Sequence, residues 1–223
     1  MKGRDPMLAR VRRALGVTTD EAKRRRAVET RLLEPRANIV PARGQLDRDA
    51  RIDLFCQMAE KVSATVRRVP RKEDVPIEVA AHLRWHNLPL QIRTGSDPAI
   101  EALPWSREPH LERLTGASDG SDAASFSNAF AGVAETGTLF LLSGPENPTT
   151  LNFLPDTHIV MVSADDIAGD YEAVWRRIRE LYGPGKLPRT VNLVTGPSRS
   201  ADIEQTLILG AHGPRALHIL VVG

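Results

Sequence analysis

With 223 residues, 41% of them hydrophobic and a net charge of +2, the chain has enough apolar side chains for one sizeable core beside a small appended module, and too few for a second full domain. Its longest apolar runs, Leu139 to Leu142 and Leu217 to Val222, fall far short of the roughly 20 residues that cross a bilayer, and the basic start MKGRDPMLARVRRALG has no uninterrupted apolar stretch before a cleavage site. No membrane span and no secretory signal are expected, so the expected location is the cytoplasm.

A single cysteine, Cys56, excludes an internal disulfide and a conventional iron-sulfur cluster held by this chain alone, so any such cluster is expected on a partner. Cys56 lies in the apolar-periodic IDLFCQMAEKV and reads as a small buried hydrophobe. The charge is uneven: residues 1–75 hold 19 Lys and Arg against 11 Asp and Glu, and the remainder 11 against 17. The densest patch, Lys23-Arg24-Arg25-Arg26, has no aromatic residue before Phe55 that could stack on a base. Nucleic acid is therefore not expected, and a solvated helix face or an acidic protein partner is.

In chain order, Met7, Leu8, Val11, Ala14 and Leu15 repeat at helical spacing and Gly16 stops them; a second, charged helix capped by Thr19 or Asp20 runs to about Leu33 and ends at Pro35. Residues 1–40 read as a helical basic arm, which must dock its apolar stripe on its own core or a neighbouring subunit, and 41–223 as the main domain. A helix is expected from about Asp47 to Val66 and another from about Pro76 to His86, then a strand at Leu88 to Arg93 and an irregular stretch at 94–124. A turn of helix at Asn128 to Val133 precedes strands at Thr138 to Ser143 and His158 to Ser163. Next come a helix at Tyr171 to Tyr182 with Val174, Trp175, Ile178 and Leu181 inward, a strand at Val191 to Thr195, a helix at Ala201 to Leu209 and a last strand at Ala216 to Val222. Strands separated by helices, without two-residue hairpin turns, imply crossovers and a largely parallel sheet flanked by helices. The expected class is α/β.

Two segments place glycine, small hydroxyls and carboxylates beside a strand, where α/β proteins hold ligands. In Thr195-Gly196-Pro197-Ser198-Arg199-Ser200, the amino end of the expected helix and the donors of Ser198, Arg199 and Ser200 favour a phosphate or carboxylate. Asp202 and Glu204 in the first turn offer the alternative of plain capping. No Lys-Ser/Thr pair makes this a Walker loop. In Ala134-Glu135-Thr136-Gly137-Thr138, Glu135 can act as base or nucleophile, or simply bond neighbouring amides, with Gly137 and Thr138 beside it. His158 heads a strand and is a candidate for the same cleft. His212 follows Gly210 and reads as a partner of the negative helix end. His82 and His86 have the i,i+4 spacing of a metal pair but lack a following Glu and a third ligand, so no metal is expected.

The segments AETGTLFLLSG (134–144), LPDTHIVMV (154–162) and GPSRSADIEQTLILGAHGPRALHIL (196–220) resemble the lactate-utilisation protein C family, the LUD-domain proteins. The resemblance implies a fold similar to the ribose-phosphate isomerase, glucosamine-phosphate deaminase and CoA-transferase group. It also implies an accessory or non-redox part in oxidising L-lactate to pyruvate, with an iron-sulfur subunit and a second cysteine-rich subunit as partners. Some related folds use a Glu as covalent nucleophile, a role that reaches Glu135 only by analogy of fold. Two other readings stand beside it. One is a stand-alone enzyme or binding protein for a small anionic ligand such as a carboxylate, phosphosugar, folate or CoA ester. The other is an anion sensor acting through the arm, which also offers a route to a homo-oligomer.

Overall fold

The computed structural model describes residues 3–16, 21–34, 36–201 and 207–223. The chain divides into two compact units, 1–38 and 39–223. The first holds helices α1 (Arg4–Ala14) and α2 (Glu21–Leu33), none of whose residues is buried. Leu8 and Val11 of α1 line one groove with Val28 of α2. The expected caps at Thr19 or Asp20 and the stop at Pro35 lie outside the described residues.

In the second unit Asp47 takes the N–H of Ala50 on its side chain and starts α3 (Arg48–Lys61). Ser63, at φ 70°, turns the chain out of the helix and into strand β1 (Thr65–Val69), so the helix expected to reach Val66 gives up its last residues to a strand. After it come α4 (Val75–Trp85), β2 (Gln91–Thr94), α5 (Pro98–Glu101), β3 (Glu112–Thr115), β4 (Ala124–Asn128), β5 (Ala131–Val133), β6 (Thr138–Leu142) and β7 (Thr157–Ser163). The chain finishes with β8 (Ile167–Ala168), α6 (Tyr171–Tyr182), β9 (Val191–Val194), β10 (Arg199–Ala201), β11 (Leu207–Leu209) and β12 (Ala216–Val222).

Six strands in the order β1-β12-β7-β4-β2-β3 form one sheet in which every pairing is parallel. Its central strands read THIVMVS and ALHILVV because both faces are covered, which removes the polar alternation of a half-exposed strand. On one face Val75, Val79, Ala80 and Leu83 of α4 pack on Phe126, Ile159, Met161 and Leu220. On the other, Ile52, Phe55 and Ala59 of α3 meet Val160, Val162, Leu217 and Ile219, together with Leu139 and Leu141 of a second sheet. Phe55 is wholly buried there, which contributes about 2–3 kcal/mol. The second sheet, β8-β5-β6-β9, turns its far face to Val174 and Ile178 of α6. The class is α/β, with a parallel sheet flanked by helices.

Three expectations need correction. Residues 128–133 are not a turn of helix but the end of β4 and the strand β5. β5 and β6 form an antiparallel hairpin, so the second sheet is mixed and the domain is not built from crossovers alone. The helix expected at 201–209 is absent where the backbone is described: β10 and β11 pair antiparallel, Arg199 opposite Leu209 and Ala201 opposite Leu207. A run as short as Leu207-Ile208-Leu209 fits either period, and pairing across the loop decides it. Among the described residues no helix is long and apolar enough to cross a membrane.

Candidate functional site

The hairpin turn between β5 and β6 is buried, not projected into solvent. Gly137 adopts φ 67°, and a Cβ there would stand 2.3 Å from the backbone nitrogen of Ala59, so the turn reaches its place against α3 only with glycine at this position. Glu135 is consequently held inside and is 4% exposed. Its backbone N–H donates to the Gly169 carbonyl at 3.3 Å. The Gly169 carbonyl also meets residue 44 backbone to backbone: a Cβ on Gly44 would lie 2.1 Å from that oxygen. The short turn Ala42–Gly44 thus lies close beside Glu135 and brings Arg43 with it, Nε 3.8 Å from Glu135 Oε2. That separation gives charge attraction but no hydrogen bond, and among the described residues Oε2 has no hydrogen-bond partner.

On the other flank of Glu135 runs a chain of hydroxyls. Thr138 Oγ1, fully buried, is 2.7 Å from Thr136 Oγ1, 2.8 Å from the Tyr171 hydroxyl and 2.7 Å from Thr195 Oγ1. Tyr171 also reaches Thr136 at 2.9 Å. This line joins the start of β6 and of α6 to the carboxyl end of β9, and it ends at Thr195, which is exposed. Each hydroxyl can donate or accept, so the line can reorient its protons to suit a group arriving at Thr195.

Thr195 borders a cavity of about 240 Å³ shared with Asn152, Phe153, Ser198, Arg199 and His212. Gly196, at φ 76°, packs on the end of α3, where a Cβ would lie 2.3 Å from the Val62 carbonyl. The Arg199 guanidinium donates to that same carbonyl, completing the helix terminus. Ser198 clamps the loop: its N–H donates to Pro214 at 2.8 Å, and its Oγ accepts from the His212 N–H at 3.3 Å. With no helix starting at 201, the dipole argument for an anion here falls away, and Ser198 and Arg199 are tied to backbone. The Ser200 backbone pairs with Ile208 in the β10–β11 ladder, and Asp202 and Glu204 lie outside the described residues. Asn152 gives no distinctive sequence signal among its loop-like neighbours. It is 1% exposed, and among the described residues both its side-chain oxygen and nitrogen lack partners.

The structure therefore links the Glu135 turn to the Thr195–Arg199 loop through Thr138, while the Glu135 carboxylate faces Arg43 and the cavity lies beyond Thr195. His158 joins neither. It is wholly buried in the six-stranded sheet, with Nε2 3.0 Å from Ser127 Oγ, and burial pushes its pKa down to about 3. The ring of His82 stacks on His218 at 3.9 Å and lies 4.5 Å from His86. Burial first, then the neighbouring imidazoles, lowers His82 to about 4 and His218 to about 3. Among the described residues no group of three or more His, Cys, Asp or Glu side chains is placed to hold a metal ion.

The segment carrying both the Glu135 turn and the Thr195 loop, residues 112–222, matches the family model of the LUD domain. This chain is a member of the LUD-domain family. It is 40% identical over 99 residues to an uncharacterized protein of Neisseria meningitidis serogroup B, a match covering 44% of this chain and 42% of the other. Lactate utilization protein C of Geobacillus thermodenitrificans is 36% identical over 107 residues, 47% of this chain and 45% of that protein. The Bacillus subtilis protein of the same name is 30% identical over 159 residues, 69% and 65%. The chain thus spans less than half the length of the first curated relatives it matches. A crystal structure of a DUF162 family protein from Deinococcus radiodurans superposes with a TM-score of 0.57 at 24% identity, over 80% of this LUD-domain chain and 99% of that one, and shares its fold.

Proposed function

We propose that this LUD-domain protein is a component of a lactate-utilisation system, acting in the oxidation of L-lactate to pyruvate beside iron-sulfur and cysteine-rich partner subunits and carrying no cluster itself. The likeness to lactate utilization protein C supports the pathway. The single cysteine supports the division of labour, because Cys56 lies half-buried on α3 and cannot supply the several thiolates a cluster needs. The place of action is the cytoplasm. The test is a clean deletion with complementation, together with a pull-down of the tagged protein from lactate-grown cells. Loss of growth on lactate and recovery of iron-bearing partners are expected. Normal lactate oxidation in the deletion strain refutes the reading.

A second reading rests on Oε2 of Glu135, which has no hydrogen-bond partner among the described residues. A buried carboxylate held 3.8 Å from a guanidinium and short of a hydrogen bond has an oxygen free to take a proton or attack an acyl carbon. On this reading the purified chain turns over a small anionic substrate by itself, and Glu135→Gln abolishes that turnover while leaving the fold intact. Turnover that survives the substitution excludes Glu135 as the reacting group.

A further inference from the structure

Beside the Glu135 turn lies a larger cleft, of about 510 Å³, whose walls include Gln45, Arg51, Asp165, Gly169, Asp170 and Arg177. Its volume falls within the range of small-molecule sites, roughly 300–1,000 Å³. Most of its charged groups are already matched. Asp165 accepts from Arg48 at 2.8 Å, and Asp170 accepts from Gln45 Nε2 at 2.8 Å and from the Ala173 N–H at 2.9 Å. Arg177 donates to Asp166 at 2.6 Å. Arg51 is the exception: among the described residues its side chain has no ion pair or hydrogen bond, and its Nε is buried without an acceptor. Buried guanidinium N–H groups in folded proteins are nearly always paired, so an arginine that lines a cleft with its side chain unmatched is open to an acceptor from outside the chain.

We propose that this cleft binds a small molecule bearing a carboxylate or phosphate, held by the Arg51 guanidinium. The fork of guanidinium N–H groups matches two oxygens of either group. Asp165 and Asp170, being held by their own partners, do not compete for Arg51. The site does not depend on the lactate reading, since inorganic phosphate would occupy it by the same chemistry.

The test uses the full chain and three probes, L-lactate, pyruvate and inorganic phosphate, followed by calorimetry and by ligand-dependent rise in Tm. At least one probe is expected to bind, and Arg51→Met is expected to weaken it by roughly ten- to hundred-fold, the worth of a charge-assisted pair. The organic probes and phosphate separate the two oxyanion classes. Arg51→Lys, which keeps the charge and loses the fork, is expected to fall between. Stability separates a binding residue from a structural one. Removing a charge that has no partner should leave the Tm of the ligand-free protein unchanged or raised. Absence of binding by all three probes overturns the proposal, as does equal binding by wild type and Arg51→Met, or a ligand-free Arg51→Met protein that is markedly destabilised.

Discussion

Acidification is expected to destabilise the protein through His158, and the size of the effect follows from its burial. The ring sits in β7 between β4 and β12, wholly shielded; among the described residues Ser127 is its one neighbour in hydrogen-bond reach and Nδ1 has no partner. Its pKa of about 3 in the folded state compares with 6.5 for an ordinary imidazole. Because the folded value is the lower one, the unfolded chain binds the proton more readily. Stability is therefore complete above the unfolded value and is lost as pH falls from about 6.5 toward 3. Between about pH 7 and pH 5 the loss from this one group is about 2 kcal/mol. His82 and His218 act in the same direction, so the measurement must isolate His158. Urea unfolding of wild type and His158→Leu at both pH values does so, since the other two rings remain in each protein. The leucine variant leaves Ser127 without its partner at every pH, which shifts the whole curve and not its slope. The wild type should lose about 2 kcal/mol more than the variant over this interval. Equal losses in the two proteins would refute the assignment.

Gly137→Ala should lower stability by about 2–4 kcal/mol, combining the left-handed backbone with a Cβ driven into the α3 backbone, and a urea midpoint within error of wild type would contradict that packing. Arg93 Nε stands 2.9 Å from both oxygens of Asp122, whose carboxylate is almost fully buried and also accepts from Ser118 at 2.6 Å. Arg93→Met should therefore cost about 3 kcal/mol by stranding that charge, and adding Asp122→Leu should recover much of the loss in a double-mutant cycle. Burial pushes the Cys56 thiol up, against a smaller opposing effect of the Arg68 guanidinium. The native protein should accordingly react with a thiol reagent more slowly than the unfolded chain at neutral pH; equal rates would show the sulfur to be open.

What could be read from sequence was local. Helix α6 announces both its ends and its inner stripe: Asp170 caps it, Gly183 follows it, and Val174 and Ile178 are buried as the spacing demands, although Leu181, expected inward, stays exposed. The last strand is legible for the same reason, as an unbroken apolar run. The hairpin at Glu135 was hidden because its four-residue turn, Ala134 to Gly137, has no Asn-Gly or Asp-Gly signature and is stabilised by its fit against α3. Thr195 beside Thr138 is a product of strand order, and Arg43 beside Glu135 and the isolation of Arg51 are products of tertiary packing, neither of which a local pattern encodes. The helix expected at 201–209 failed because a short apolar run takes its conformation from its neighbours.

Strand order also separates what is recognisable from what can stand alone. β3 lies just inside the segment that matches the family model, yet its sole neighbour in the sheet is β2, which precedes that segment. Excising residues 112–222 would therefore take a plank from between β3 and β4, uncover the edge of β12 that β1 protects, and strip α3 from the turn that holds Glu135. A fragment cut at those bounds would present open strand edges and a naked apolar face, the ingredients of aggregation. The smallest piece worth expressing for a ligand screen begins before α3.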